Sequence, residues 1–250
     1  MPELAILTDS TAYLSPNFLQ HHPMIHVLPL KIHCEKETYL DGVEITPNEF
    51  YLKLTNGCPV PTTSQPSAGE FLSAFKELAQ EYDGVLVPLI SSGISGTVDS
   101  ALCAAAEIED FPVEVIDTHI TSAGLALIVK AAARAIAAGA DLEAVREVCP
   151  DLRIKPILTF DSEGKIDALE RIRTRKKALQ RLLELVQERA NGKPVYAGVV
   201  HAQAPEEAEA LKKELEKAVS CQEVHTYELS PVIGTHVGPG TLGVSVYTSN

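Results

Sequence analysis

The chain has 250 residues, 45% hydrophobic and 22% charged, with 15 Gly and 16 Pro, the composition of a soluble globular protein with ample material for a core. Its formal net charge of −13 argues against a polynucleotide or an anionic membrane face as partner, because phosphate surfaces are bound by neutralising them with Lys and Arg. The 5 cysteines, at 34, 58, 103, 149 and 221, form no CxxC pair; neither a disulfide framework nor a zinc site is expected, and a reducing, cytoplasmic setting fits. The opening MPELAILTDST carries no basic stretch, and no run approaches the roughly 20 apolar residues that span a bilayer. Neither a secretion signal nor membrane insertion is expected.

In chain order, LAILT (4–8) reads as a buried strand, and Thr46-Pro47-Asn48-Glu49 has the form of a helix capping box with proline at the first helical position. PVPTTSQPS (59–67) sets Thr62, Thr63 and Ser64 between prolines that restrict the backbone. Ser67 then opens a helix carrying Phe71, Phe75 and Leu78 on one face. VLVPLI (85–90) and VEVID (113–117) are apolar on consecutive positions, as buried parallel strands are. Between them Val98, Ala101, Leu102, Ala105 and Ile108 make a helical stripe, and AAARAIAAGA (131–140) reads as a packed helix. The style then changes. RIKPILTF and KIDALERIR flank the polar turn Asp161-Ser162-Glu163-Gly164 as in a hairpin, and from Thr174 a helix places Leu179, Leu182, Leu183 and Val186 together. VYAGVV (195–200) and EVHTYEL (223–229) are strands around a helix opened by Pro205-Glu206-Glu207, with Ala208, Leu211 and Leu215 inward. The class is α/β, with a boundary expected near residue 150.

SSGISGT (91–97) joins a buried strand to a helix. In that setting the loop amides and the unpaired N–H groups of the first helical turn face one space, where an anion is favoured. Hydroxyls of Ser92, Ser95 and Thr97 would add donors, and PTTS supplies a second hydroxyl cluster at another helix entrance. Taken singly, either cluster is also what capping and turn formation require. A third loop, SPVIGTHVGPG (230–240), holds His236 among glycines that permit close backbone approach. Gly238, Gly240 and Gly243 match GxGxxG, but a β-type tail follows instead of a helix, which excludes a dinucleotide fingerprint. ERIRTRKK (170–177) concentrates basic residues at a helix start, where cations oppose the dipole unless an anion is at hand. Arg173 could there serve as a fixed charge for a carboxylate or phosphate.

The motifs TDSTA (8–12), PTTSQPSAGEF (61–71), SSGISGT, VIDT with Ser122 and Gly124, KPIL (155–158), ERIRTRKKAL and VIGTHVGPGTLGV (232–244) together resemble the DegV family nearly end to end. The resemblance implies two α/β domains, 1–150 with a mostly parallel sheet flanked by helices and 151–250 with a mixed sheet, and a ligand cleft between them. It implies a lipid-binding protein without a catalytic residue or cofactor of its own. Its ligand would be a long-chain fatty acid such as palmitate or stearate. Thr63 and Ser95 would hold the carboxylate with Thr62, Ser92, Ser64 and Gly93 beside them, and His236, Arg173 and Ser10 would lie near the head group and an incoming phosphoryl group. The partner it implies is an ATP-binding kinase subunit that makes acyl phosphate. A tail of about sixteen carbons, at roughly 0.8 kcal/mol per methylene, would supply most of the affinity. One departure is evident: the family usually has a longer segment between the alanine-rich helix and KPIL, where VREVCPDLRIKPIL crosses almost at once.

Two enzymatic alternatives follow from the residues. Gly93-Ile94-Ser95-Gly96-Thr97 approaches the G-x-S-x-G elbow, and Asp117 and His236 follow in the order Ser, Asp, His of α/β-hydrolases. A hydrolase explains neither the second hydroxyl cluster nor the lack of an HGGG-like oxyanion segment. A kinase in its own right would need a nucleotide site, yet the sequence has no G-x-x-x-x-G-K-[ST], its histidines are dispersed, and no acidic cluster marks a metal site.

Overall fold

A computed structural model describes residues 3–35, 37–57, 59–151, 159–160, 166–167 and 175–248. Its first part comprises β1 (Leu4–Asp9), a 3-10 turn (Ser10–Ala12), α1 (Pro16–Gln20), β2 (Ile25–Leu28), β3 (Lys31–Cys34), β4 (Glu37–Leu40), α2 (Pro47–Thr55), β5 (Thr62–Ser64), α3 (Ala68–Leu78), β6 (Gly84–Leu89), α4 (Thr97–Ala105), β7 (Val113–Asp117) and α5 (Ser122–Ala137). There follow α6 (Leu142–Asp151), β8 (Thr159–Phe160), β9 (Ile166–Asp167), α7 (Arg175–Ala190), β10 (Val195–His201), α8 (Pro205–Ala218), β11 (Cys221–Glu228), α9 (Pro231–Val237) and β12 (Leu242–Thr248).

The strands β2-β1-β6-β7 form a parallel sheet. A mixed sheet has β10 between parallel β11 and antiparallel β12. The fold is therefore α/β with a parallel sheet flanked by helices and a second, mixed sheet. A small antiparallel sheet, β4-β3-β5, lies beside the first, and β8 pairs with β9 as the expected hairpin.

Strand alternation builds the layers. On the parallel sheet, Ala5, Leu7, Val85 and Val87 face Phe71, Phe75, Val98 and Ala101 of α3 and α4, while Ile6 and Leu86 face the other way, onto α5. On the mixed sheet, Ala197 and Val199 pack against Leu182, Val186, Leu211 and Leu215 of α7 and α8, while Val200 and Ala202 join the α5 side. Both sheets thus bury two faces, which is why their strands read as continuous apolar runs. Helix α5 is the shared middle layer, buried along most of its length from Ser122 to Ala133.

Alanine and glycine are what that position demands. A Cβ on Gly198 of β10 would lie 2.8 Å from the Ala123 Cβ and 3.1 Å from the Tyr227 ring, so neither surface has room for another methyl group. Gly198→Ala is expected to destabilise the fold by about 1–3 kcal/mol, read as a lowered thermal midpoint; an unchanged midpoint would show that α5 and β10 are free to separate.

The helix boundaries follow the expected signals. Thr46 with Glu49 and Ser67 with Glu70 both make complete capping boxes. Four expectations are corrected. The segment expected as a loop at 230–240 contains α9: Ser230 caps the Ile233 amide, Pro231 takes the first helical position, and Gly238, at φ 75°, ends it. The PTTS stretch pairs as β5 with β3, Thr63 opposite Ile32. Leu102, expected to face inward, is 50% exposed; Val98, Ala101 and Ala104 fill the buried stripe instead. Cys34 is disulfide-bonded, against the expectation of reduced cysteines, whereas Cys103 and Cys221 are free thiols.

Candidate functional site

The order of the parallel sheet reverses between β1 and β6, and ligands bind in such sheets outside the carboxyl ends of the strands at that point. Asp9 ends β1 there, wholly buried. Its Oδ1 accepts from the Thr11 amide (2.9 Å) and hydroxyl, and its Oδ2 from the Ile90 amide at 2.7 Å. These bonds fix the start of the SSGISGT loop against the TDSTA turn. Burial raises the Asp9 carboxyl pKa, and the three donors offset only part of that shift.

Within the loop, the serines divide the work. Ser91 is fully buried; its amide donates to Ile120 O at 2.9 Å, its carbonyl accepts from Ile94 and Ser95 amides at 3.1 Å each, and its Oγ accepts from Gly93 N. Ser92 donates its amide (3.1 Å) and its hydroxyl to Asp117, which also accepts the His119 amide at 3.0 Å. Ser91, Ser92 and Gly93 therefore shape the turn and tie it to the end of β7. Ser95 is left as the loop's hydroxyl on the cavity, sharing a 2.8 Å hydrogen bond with Thr97. With Asp117 committed to Ser92 and His119, and Ser95 to Thr97, the described atoms assemble no Ser-Asp-His relay.

The cavity has a volume of about 510 Å³, within the usual range of small-ligand sites. Thr63, Ser64 and Gln65 form one part of its polar lining, and Ser95 and Gly96 another. The two loops meet where a Cβ on Gly96 would lie 2.7 Å from the Gln65 side-chain amide nitrogen; a larger residue there would push the end of the Gln65 side chain aside. The remaining wall is mostly aliphatic and comes from both parts of the chain, including Leu30, Ile90, Ile94 and Ile120, and Val200, Leu229, Val232, Ile233 and Val237. Ser64 also shares a 2.8 Å hydrogen bond with His33 Nε2, whose Nδ1 meets Thr38 at 3.0 Å.

The expected site residues thus separate. Thr63, Ser64 and Ser95 line the cavity, whereas Thr62 is exposed on β5. Ser10 lies in a neighbouring cleft with Asp41. Arg173 lies outside the described residues, as does the side chain of His236, whose backbone is in α9. Gln65, Thr121, Ser122, Thr241 and Ser245, which sequence reasoning did not single out for the site, also line it. The S-x-G following VIDT was the available signal for Ser122.

The match to known proteins covers the chain in two stretches. The DegV family model matches residues 3–153 and 148–249. The chain belongs to the DegV family. Protein DegV of Bacillus subtilis (strain 168) is 34% identical over 276 residues, covering 96% of this chain and 98% of the relative. Among solved structures, DegV from Bacillus subtilis, described as a fatty acid binding protein, superposes with a TM-score of 0.91 at 30% identity, covering 100% of both chains. A DegV family protein from Thermus thermophilus, described by its fatty acid binding, gives 0.89 at 31%, covering 99% of this chain and 100% of that one. The two family-model stretches overlap at 148–153.

Behind the cavity lies a second buried acid. Asp41 accepts from Ser10 Oγ at 2.8 Å, and that oxygen accepts the Leu30 amide at 3.1 Å. Burial raises the Asp41 carboxyl to about 7, with the Ser10 and Ser230 hydroxyls opposing and the nearby Asp9 charge adding. The folded state therefore holds a proton that the unfolded chain releases near pH 3.8. This group's contribution to stability falls as pH rises from that value through about 7, then levels. Wild type should lose thermal stability between about pH 5 and about pH 8 more steeply than Asp41→Asn. Equal slopes would show that Asp41 is ionised throughout.

Proposed function

We propose that this DegV-family chain binds a long-chain fatty acid between domains formed by residues 1–150 and 151–250. The carboxylate is held by Thr63, Ser64 and Ser95, and the tail lies along the aliphatic wall. The observation that carries this reading is the pairing of one aliphatic cavity of about 510 Å³ with two hydroxyl loops brought edge to edge at Gln65 and Gly96. Apolar burial supplies affinity in proportion to tail length, and hydroxyl donors in a site of low dielectric select the carboxylate. The fatty acid binding stated for the Bacillus subtilis and Thermus thermophilus structures supports it.

The role extends to presenting the carboxylate to a separate ATP-dependent kinase subunit in the cytoplasm. The sequence carries no phosphate-binding loop of the G-x-x-x-x-G-K-[ST] type, and phosphoryl transfer on the bound acid would take its nucleotide from that partner. On this reading the chain contributes no catalytic residue; it selects the acid and shields its tail from water.

Denaturing the protein as purified from cells, extracting it with organic solvent and identifying the extract by mass spectrometry tests the first step. A stoichiometric long-chain fatty acid is expected from wild type. Ser95→Ala should retain about a tenth as much under the same washing, having lost a hydrogen bond to a charged group. An empty extract from folded wild type would sink the fatty-acid reading, and undiminished retention by Ser95→Ala would place the head group elsewhere.

A further inference from the structure

We propose that the N-terminus of α5, with the Thr121 and Ser122 hydroxyls, is an anion seat within the cavity and receives the negative charge of the ligand's carboxylate. The inference rests on the fatty-acid reading and adds to it two residues outside the hydroxyl loops.

Four observations converge on this helix end. Thr121 occupies the N-cap position in extended conformation, yet its side chain makes no capping hydrogen bond. Thr121 Oγ1 and Ser122 Oγ are both buried and have no hydrogen-bond partner among the described residues. Ser122 is only 6% exposed, so leaving its hydroxyl unpaired is costly unless something else supplies a partner. Both residues line the cavity. By contrast, α2 and α3 spend their Thr46 and Ser67 hydroxyls on complete capping boxes.

Backbone conformation points the same way. Ser122 has φ +57°, a left-handed conformation that strains any residue but glycine and that persists where the surroundings over-determine it. A serine kept there, where glycine would be unstrained, holds an O–H on the cavity at a cost in backbone energy. The helix behind it is also suited to the task. Its 16 residues are mostly buried between the two sheets, so the partial positive charge of its first-turn amides is poorly screened.

The position agrees with the hydroxyl loops. The Ser91 amide donates to Ile120 O at 2.9 Å, which fixes the α5 entrance beside the loop that carries Ser95. Ser95 and Ser64 already share hydrogen bonds with Thr97 and His33, whereas the Thr121 and Ser122 hydroxyls have no partner among the described residues. A carboxylate with two oxygens accepts from both sides.

The test compares palmitate with hexadecanol, which has the same tail and no charge, on delipidated protein. Thr121→Val keeps the shape without the donor, and Ser122→Gly removes the hydroxyl while relieving the backbone strain, so neither depends on a disrupted fold. The double variant should bind palmitate about tenfold more weakly while its affinity for hexadecanol stays at the wild-type value. Unchanged palmitate affinity, or equal loss of both ligands, would overturn the anion seat while leaving fatty-acid binding intact. Wild type that binds neither ligand would instead overturn the fatty-acid reading itself, and the anion seat with it.

Discussion

Everything in this molecule is arranged around a helix that must pack on two sheets at once. A helix buried on opposite sides can carry only small side chains where the strands approach closely, and α5 satisfies that condition with Ala123 against Gly198. The close approach sets the separation of the sheets. It also fixes where the helix begins, at the carboxyl ends of the parallel strands, so that the packing constraint and the placement of the cavity have the same origin. The aliphatic residues that escape the two sheet interfaces, such as Leu30, Ile120 and Val232, are shared between the core and the cavity wall.

The polar framework behind the cavity is a set of buried acids that hold backbone and hydroxyl donors. Asp9 fastens the strand β1 to the start of the serine loop, and Asp41 fastens Ser10, which fastens Leu30. Desolvation pushes both carboxyl groups upward, a cost accepted in exchange for orientation. The TDSTA stretch thus acts on the cavity from one layer behind it, and the serine loop owes part of its shape to the buried Asp9.

Much of the fold was legible because burial on both faces leaves a simple signature. β7 occupies the residues expected from VEVID; the helices opening at Pro47 and Ala68 begin at their capping boxes, and the one at Pro205 begins where proline and first-turn acids mark it. What escaped were elements whose local chemistry is ambiguous. In 230–240, glycine and proline argued for a loop, yet Ser230 and Pro231 are also a helix start, and the tertiary setting decided between them. The short strands β2, β3 and β4 carry mixed polar and apolar residues and gain their pairing from neighbours distant in sequence. At the site, the sequence revealed which loops bear hydroxyls but not which hydroxyls are already committed. Ser92 and Ser95 look alike in SSGISGT; only the fold shows that Asp117 claims the first. Gln65 and Thr121 join the cavity through contacts between loops, which no single stretch encodes.

The shared helix also governs how the molecule comes apart. One continuous apolar cluster runs from Ile6 and Leu86 through α5 to Val200, Tyr227 and Val232. Neither sheet can shed its partner without exposing the apolar face that α5 covers, so the stability of each half is coupled to that of the other through this one helix.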